Sequence, residues 1–420
     1  MSSIFVQIAS YRDPELVPTV LDCIANAKYP KRLHFCIGWQ HSGDEDISEL
    51  YNVPNMTIVE VQASQSQGAC WMRSKIQAEY TDQTYTLQLD SHHRFVKDWD
   101  VKLIEMYKKQ KALGFNPLFT SYLPSYQPKN EPNGRLNECW QVNYDRFLPE
   151  GVIFLRPSLI KNWEGYNGDP VFAKALSAHF IFTKGKWCKE VLYDPNIYFH
   201  GEEISLAARS YTHGYDLFHP TQVIVWHQYT REGAKKHWDD HKSWDKRNSE
   251  SYYRVKTLFG TDLNEPVNLG EYGFGKKRTL AQFERYAGVR FKDRVFHADS
   301  IEEKLPPAQR TDLTKFDPEY EQGLRKWYKH CIDIYKPDVP ELDYDFWCCV
   351  FKDENDKDMY RKDLDANEIN YLMHQEPNDK FLHIWRDFYI DQRPYKWTIW
   401  PHSKSKGWET KIIENKINYA

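Results

Sequence analysis

At 420 residues the chain can form one large α/β domain plus a smaller one, each with its own core, and its length excludes a single small module. A formal net charge of −4 excludes wholesale coating of nucleic acid, so any phosphate-binding surface must be local. The eight cysteines are scattered without paired C-x-x-C spacing and read as reduced, packed thiols.

The N-terminus, MSSIFVQIASYRD, lacks a basic leader and has too short an apolar run for a secretory signal. No stretch approaches the roughly 18 apolar residues of a membrane span, so cytoplasmic placement without a membrane partner is expected. Strand-like runs IFVQIAS (4–10), RLHFCIGW (32–39), MTIVEV (56–61) and YTLQLD (85–90) alternate with helical patterns in PELVPTVLDCIANAK, GACWMRSKIQAEY and DWDVKLIEMYKKQKAL. This order predicts a mostly parallel sheet with helices on both faces and a ligand beyond the carboxyl ends of the strands. If the first and fourth strands are neighbours, Ser10-Tyr11-Arg12-Asp13 and Asp90-Ser91-His92 share one rim.

Between 115 and 230 the strand candidates are PLFTSYL, VIFLRP, AHFIFTK and QVIVWHQ, with one clear helix starting near Gly201-Glu202-Glu203. A polar stretch with His237 and His241 follows, read as a solvated amphipathic helix. Residues 276–294 hold seven Lys/Arg against two Asp/Glu, interleaved with Phe and Tyr. A helix candidate at 318–336 precedes DFWCCVFKDENDKDMYRKDL, which reads as a hairpin, and FLHIWRDFYI and YKWTIWPHS add strands. The expected division is therefore 1–300, an α/β domain, and 301–420, a lobe with a helix and then mostly β structure. In that lobe Trp347, Trp385, Trp397 and Trp400 either build the core or help to hold an acceptor.

Asp90-Ser91-His92 at a strand end suits a divalent cation beside a diphosphate, because carboxylate and imidazole supply ligands while the cation neutralises charge on a departing phosphate. Alone, the pattern more often describes a solvated loop. It is joined by Arg73 in GACWMR, by Glu202 and Glu203 after a glycine at a helix start, and by His227 at the end of VIVWH. For the acidic pair, a first-turn position favoured by the helix dipole is the plainer reading. His93 reads as structural, and His179 and His213 fit core or turn histidines as well as acceptor contacts.

The segments VQIASYRD, GACWMR, LQLDSHHRFVKDWD, YFHGEEISLAARSYTHGYDLFHP and WHQYTR, in this order over residues 4–231, resemble glycosyltransferase family 60, the family of the hydroxyproline α-N-acetylglucosaminyltransferase. A more remote similarity is to the polypeptide N-acetylgalactosaminyltransferases. The resemblance implies a GT-A, Rossmann-like fold, a UDP-sugar donor, Mn²⁺ or Mg²⁺, and retention of anomeric configuration. It implies Asp90, His92 and His227 as metal ligands, Ser10, Arg12, Asp13 and Arg73 as nucleotide-sugar contacts, and Glu202 and Glu203 as the catalytic acidic pair. The resulting expectation is transfer of N-acetylglucosamine to a polypeptide hydroxyl. Two alternatives stand beside it: transfer to a hydroxylated DNA base, suggested by the basic stretch at 276–294, and a non-catalytic carbohydrate- or protein-binding module.

Overall fold

The computed structural model describes residues 2–419 apart from 44, 232, 262–264, 308–316, 375–378 and 412. The chain divides into two compact units, Met1–Arg294 with Asp299–Phe316, and Val295–Ala298 with Asp317–Ala420.

The first unit opens with β1 (Ile4–Tyr11), α1 (Leu16–Asn26), β2 (Leu33–His41), β3 (Met56–Gln62), α2 (Ala69–Ala78) and β4 (Tyr85–Leu89). It continues with β5 (His93–Phe95), α3 (Trp99–Ala112), β6 (Pro117–Thr120), β7 (Trp140–Phe147), β8 (Ile153–Leu159), β9 (Val171–Phe172) and β10 (Phe180–Lys184). Then come α4 (Trp187–Glu190), α5 (Glu202–Thr212), β11 (Asp216–His219) and β12 (Val225–His227). Eight of these strands form one sheet in the order β3-β2-β1-β4-β10-β6-β11-β9.

The α/β expectation holds, with a refinement. β3, β2, β1 and β4 are parallel, whereas β10 enters antiparallel between β4 and β6, and β9 closes the sheet antiparallel to β11. Strands β1, β2 and β4 are buried almost throughout, as strands covered on both faces must be. Leu87 and Leu89 enter the main core with Ile8 and Phe182. Gln88 points to the other face, where its amide donates to Ala178 O and Tyr193 Oη, both at 2.6 Å.

Two local features aim this sheet at a site. The register pairs Ile8 with Leu89, the last residue of β4, and β1 runs on to Tyr11 beside the segment that follows β4. Beyond that rim β5 and β12 form a separate antiparallel pair with His93 opposite His227, which returns a late segment to the end of β4.

The 276–294 stretch contains a helix, Leu280–Ala287, capped by Thr279. Its Phe283 and Tyr286 are buried rather than presented as stacking faces, Arg278 pairs with Asp216 at 2.6 Å and Arg290 with Asp293 at 2.9 Å.

The second unit is mostly β. The helix expected over 318–336 is corrected: only Pro318–Gln322 is helical, and Leu324–Tyr335 is a twelve-residue strand paired antiparallel with Phe381–Ile390. Buried Ile332 and Ile334 alternate with outward Asp333 and Tyr335, a period-2 pattern that overrides the helical start. Tyr344–Lys352 and Asp358–Arg361 form the expected hairpin, and Lys396–Ser403 pairs with its first strand. Trp347 and Trp397 belong to this unit's core, while Trp385 and Trp400 are exposed.

Candidate metal and donor site

The rim of β1 and β4 borders a cavity of about 290 Å³. Asp90, His92 and His227 converge there, with one ligand atom from each lying within 4.8 Å of the others. Asp90 Oδ2 is 3.5 Å from His227 Nε2 and 3.9 Å from His92 Nε2.

Neighbouring groups fix the tautomers. His92 Nδ1 donates to Asp13 Oδ2 at 2.7 Å, which leaves its Nε2 lone pair turned toward Asp90. His93 accepts the Asp90 backbone N–H at Nε2 (3.2 Å), so its Nδ1 donates to Trp226 O (2.9 Å) and no lone pair remains for a cation. The structural reading of His93 fits this placement. His227 is 6 % exposed, and neither ring nitrogen has a hydrogen-bond partner. Burial pushes its pKa down to about 3, so the ring is neutral. A buried neutral imidazole with an unsatisfied nitrogen is costly unless something accepts its lone pair, and the donor set of one carboxylate and two imidazoles fits a divalent transition cation such as Mn²⁺ better than Mg²⁺, which favours oxygen donors.

Asp13 lies behind the cluster. It is 4 % exposed and accepts from Ser91 Oγ (2.7 Å), His92 Nδ1 (2.7 Å), Arg231 (2.9 Å) and the Glu15 N–H (3.0 Å). Burial opposes its charge, but the His92 hydrogen bond and the Arg231 guanidinium win and hold its pKa at about 2. Asp13 is thereby placed to orient His92. Ser10 is equally buried and accepts the Gln40 amide at its carbonyl (3.0 Å); the alternation of β1 turns Ala9 and Tyr11, not Ser10, toward the cavity. Arg12 pairs with Asp240 at 2.9 Å beside a separate cleft of about 650 Å³.

Arg73, on α2, joins Asp90 to Glu202. Its guanidinium donates to Asp90 Oδ1 (2.5 Å) and to Glu202 Oε1. Burial would raise the pKa of Asp90, yet the Arg73 guanidinium helps to hold it well below the carboxylate range. α2 can start where it does because Gly68 has φ 111° and a Cβ there would come within 2.9 Å of the Tyr198 ring.

The adjacent glutamates part company. Glu202 lines the cavity against Arg73. Glu203 instead accepts from Ala178 N–H (2.9 Å) and Ser177 Oγ (3.0 Å), and burial raises its pKa to about 7. Ser177 Oγ also meets His179 Nδ1 (2.7 Å), and the His179 ring stacks on His227 at 4.4 Å. His213 bonds Arg209 O at its own helix end (2.8 Å), away from the cavity.

Several lining groups carried no clear signal in sequence. Arg231, Lys235 and Lys236 bring positive charge to the mouth. His237 belongs to a one-turn helix, His237–Asp240, rather than a solvated amphipathic one; its Nδ1 meets Tyr198 Oη at 2.7 Å and its ring stacks on His241 at 4.0 Å. The spacing KKHW following WHQYTR was the available clue.

Among solved structures, GalNAc-T7 with UDP, GalNAc and Mn²⁺ is 14 % identical over 61 % of this chain and 48 % of its own, with a TM-score of 0.45. S. aureus TarS 1-349 with UDP is 10 % identical over 67 % of this chain and 70 % of its own, with a TM-score of 0.39. Its UDP-GlcNAc complex is 12 % identical over 61 % and 65 %, with a TM-score of 0.36. The chain thus spans about half the length of GalNAc-T7. No curated protein matches in sequence. The family described as Glycosyltransferase (GlcNAc) matches residues 3–56 and 47–293, a span holding Asp90, His92, Glu202 and His227, and the chain belongs to that family.

Proposed function

We infer that the protein is a metal-dependent, retaining glycosyltransferase of GT-A type that moves N-acetylglucosamine from a UDP-sugar to a hydroxyl of a polypeptide. The observation that carries this reading is the convergence of Asp90, His92 and the unpartnered His227 on a cavity also lined by Arg73 and Glu202. Family membership supports the sugar, and the family 60 motifs support the acceptor.

Asp90, His92 and His227 would hold Mn²⁺ or Mg²⁺, which when bound supplies Lewis-acid neutralisation of the leaving diphosphate. Asp13 keeps the His92 proton on Nδ1, so Nε2 faces the site. Arg73, with Arg231 and Lys235 at the mouth, binds phosphate oxygens, and the start of α2 at Gly68 adds backbone N–H groups. Glu202, fixed by Arg73, orients sugar hydroxyls. Glu203 anchors the 177–179 turn beside His227 and acts on the reaction through that turn. In the transfer the anomeric carbon–phosphate oxygen bond breaks, the acceptor oxygen bonds the same face of that carbon, and the hydroxyl proton passes to the leaving phosphate. Glu202 is tied to Arg73, which suits same-face attack better than a free carboxylate nucleophile.

The test is UDP release over a panel of UDP-sugars, with and without EDTA, using hydroxyproline- and Ser/Thr-containing peptides and hydroxymethylated DNA as acceptors. Cation-dependent transfer to peptide from UDP-N-acetylglucosamine is expected. Transfer confined to DNA, or full activity in excess EDTA, would overturn the reading.

A further inference from the structure

We propose that Cys331, Asp333 and His383, on the outer face of the second unit's long strand pair, form a site for a borderline-soft divalent cation of the Zn²⁺ kind. The register creates it. Cys331 and Asp333 are two residues apart on one strand and share a face, and Asp333 lies directly opposite His383 on the next. Cys331 Sγ is 3.2 Å from Asp333 Oδ1, His383 Nδ1 is 2.7 Å from that oxygen, and Sγ and Nδ1 are 4.0 Å apart. Tetrahedral Zn²⁺, with bonds of about 2.0–2.3 Å, sets ligand atoms roughly 3.3–3.7 Å apart, within the range these pairs bracket.

An independent feature is the far side of the imidazole. His383 Nε2 meets Asp379 Oδ2 at 2.9 Å, and Asp379 is itself anchored through its other oxygen by the Phe381 N–H at 2.9 Å. Asp379 holds the Nε2 proton, so the proton that Nδ1 shares with Asp333 is the one a cation displaces on the side where Cys331 and Asp333 converge; a carboxylate behind a ligating histidine is a recurrent device in metal sites. Thiol, carboxylate and imidazole together favour zinc-like ions over Mg²⁺ or Ca²⁺, and three protein ligands leave a fourth position for water or another donor. On binding, the Cys331 S–H and His383 Nδ1–H bonds break, the thiolate and the imidazole nitrogen bond the cation, and both protons go to solvent. Among the described residues Cys331 is the one cysteine that is not buried, so the thiol is open to an incoming ion.

Co²⁺ distinguishes this site from the oxygen- and nitrogen-only cluster at Asp90, because only a thiolate ligand gives a near-ultraviolet sulfur-to-cobalt charge-transfer band. Titration of the reduced full-length protein with Co²⁺ is expected to produce that band, and Zn²⁺ is expected to displace it. Cys331→Ser should abolish it, and His383→Ala should weaken Co²⁺ binding by more than the roughly 10–100-fold typical of losing an outer partner. Asp90→Ala should leave it intact. No sulfur band at saturating Co²⁺, or an unchanged band in Cys331→Ser, would overturn the proposal.

Discussion

The clusters at Asp90 and Cys331 use one device in two settings. In each, a carboxylate stands behind a histidine: Asp13 behind His92 in the buried rim, and Asp379 behind His383 on an open strand face. Burial then sets their protonation apart. His227 is held neutral by desolvation, with a pKa near 3, whereas the exposed His383, hydrogen-bonded to Asp333 and Asp379, has its pKa raised. A buried cluster is prepared for a cation before one arrives; an exposed one must release protons to accept it.

The largest effect that tests this contrast is on turnover. Asp90→Ala or His92→Ala should cut UDP release by about three or more decades, since the cation supplies several kcal/mol to the departing diphosphate. The cobalt–sulfur band should stay unchanged in both, and its loss would show the clusters are not independent.

Next come the supporting carboxylates. Asp13→Asn should weaken Mn²⁺ affinity roughly 10–100-fold by calorimetry. Asp379→Asn should weaken Co²⁺ binding at the other cluster only several-fold, because water replaces a partner easily at an exposed site. Equal losses would show that burial does not distinguish them.

A smaller effect follows from Glu203, another group governed by burial. Its pKa is raised from 4.5 to about 7, so between those values the folded state binds more protons than the unfolded one. Its contribution to stability is therefore full below about pH 4.5 and is lost as pH rises through 7, by up to a few kcal/mol. Urea denaturation across pH 4–8 should show this slope flattened in Glu203→Gln. The smallest effect is expected on the open face, where Cys331→Ser should shift the denaturation midpoint by less than about 1 kcal/mol in the absence of cation.

Much of the rim was legible because apolar strands ended abruptly in charged groups: Asp90, His92 and His227 each follow or close such a run. The role of Asp13 was not, since nothing in its local sequence says that β1 and β4 are neighbours or that His92 would turn back toward it. Glu202 and Glu203 looked alike on paper and diverge because adjacent helical residues face different surroundings, Arg73 for one and the 177–179 turn for the other. The strand at 324–335 was misread because its outward positions carry Lys329 and Asp333 and its inner face includes His330, which mask the alternation beneath a helical start at Pro318. The Cys331 cluster was invisible for the same reason, being a product of strand register rather than spacing.

The antiparallel entry of β10 has a consequence for how the molecule comes into being. During synthesis β4 gains one neighbour at once, but its other edge stays unpaired until Phe180 reaches Leu89, and the rim remains incomplete until His227 lies against His93. Chains dominated by such distant pairings fold slowly and expose apolar edges while they do so. A nascent chain therefore carries Asp90 and His92 long before His227 joins them, so under the proposed function a cation would be captured late in maturation and would not guide the collapse that precedes it.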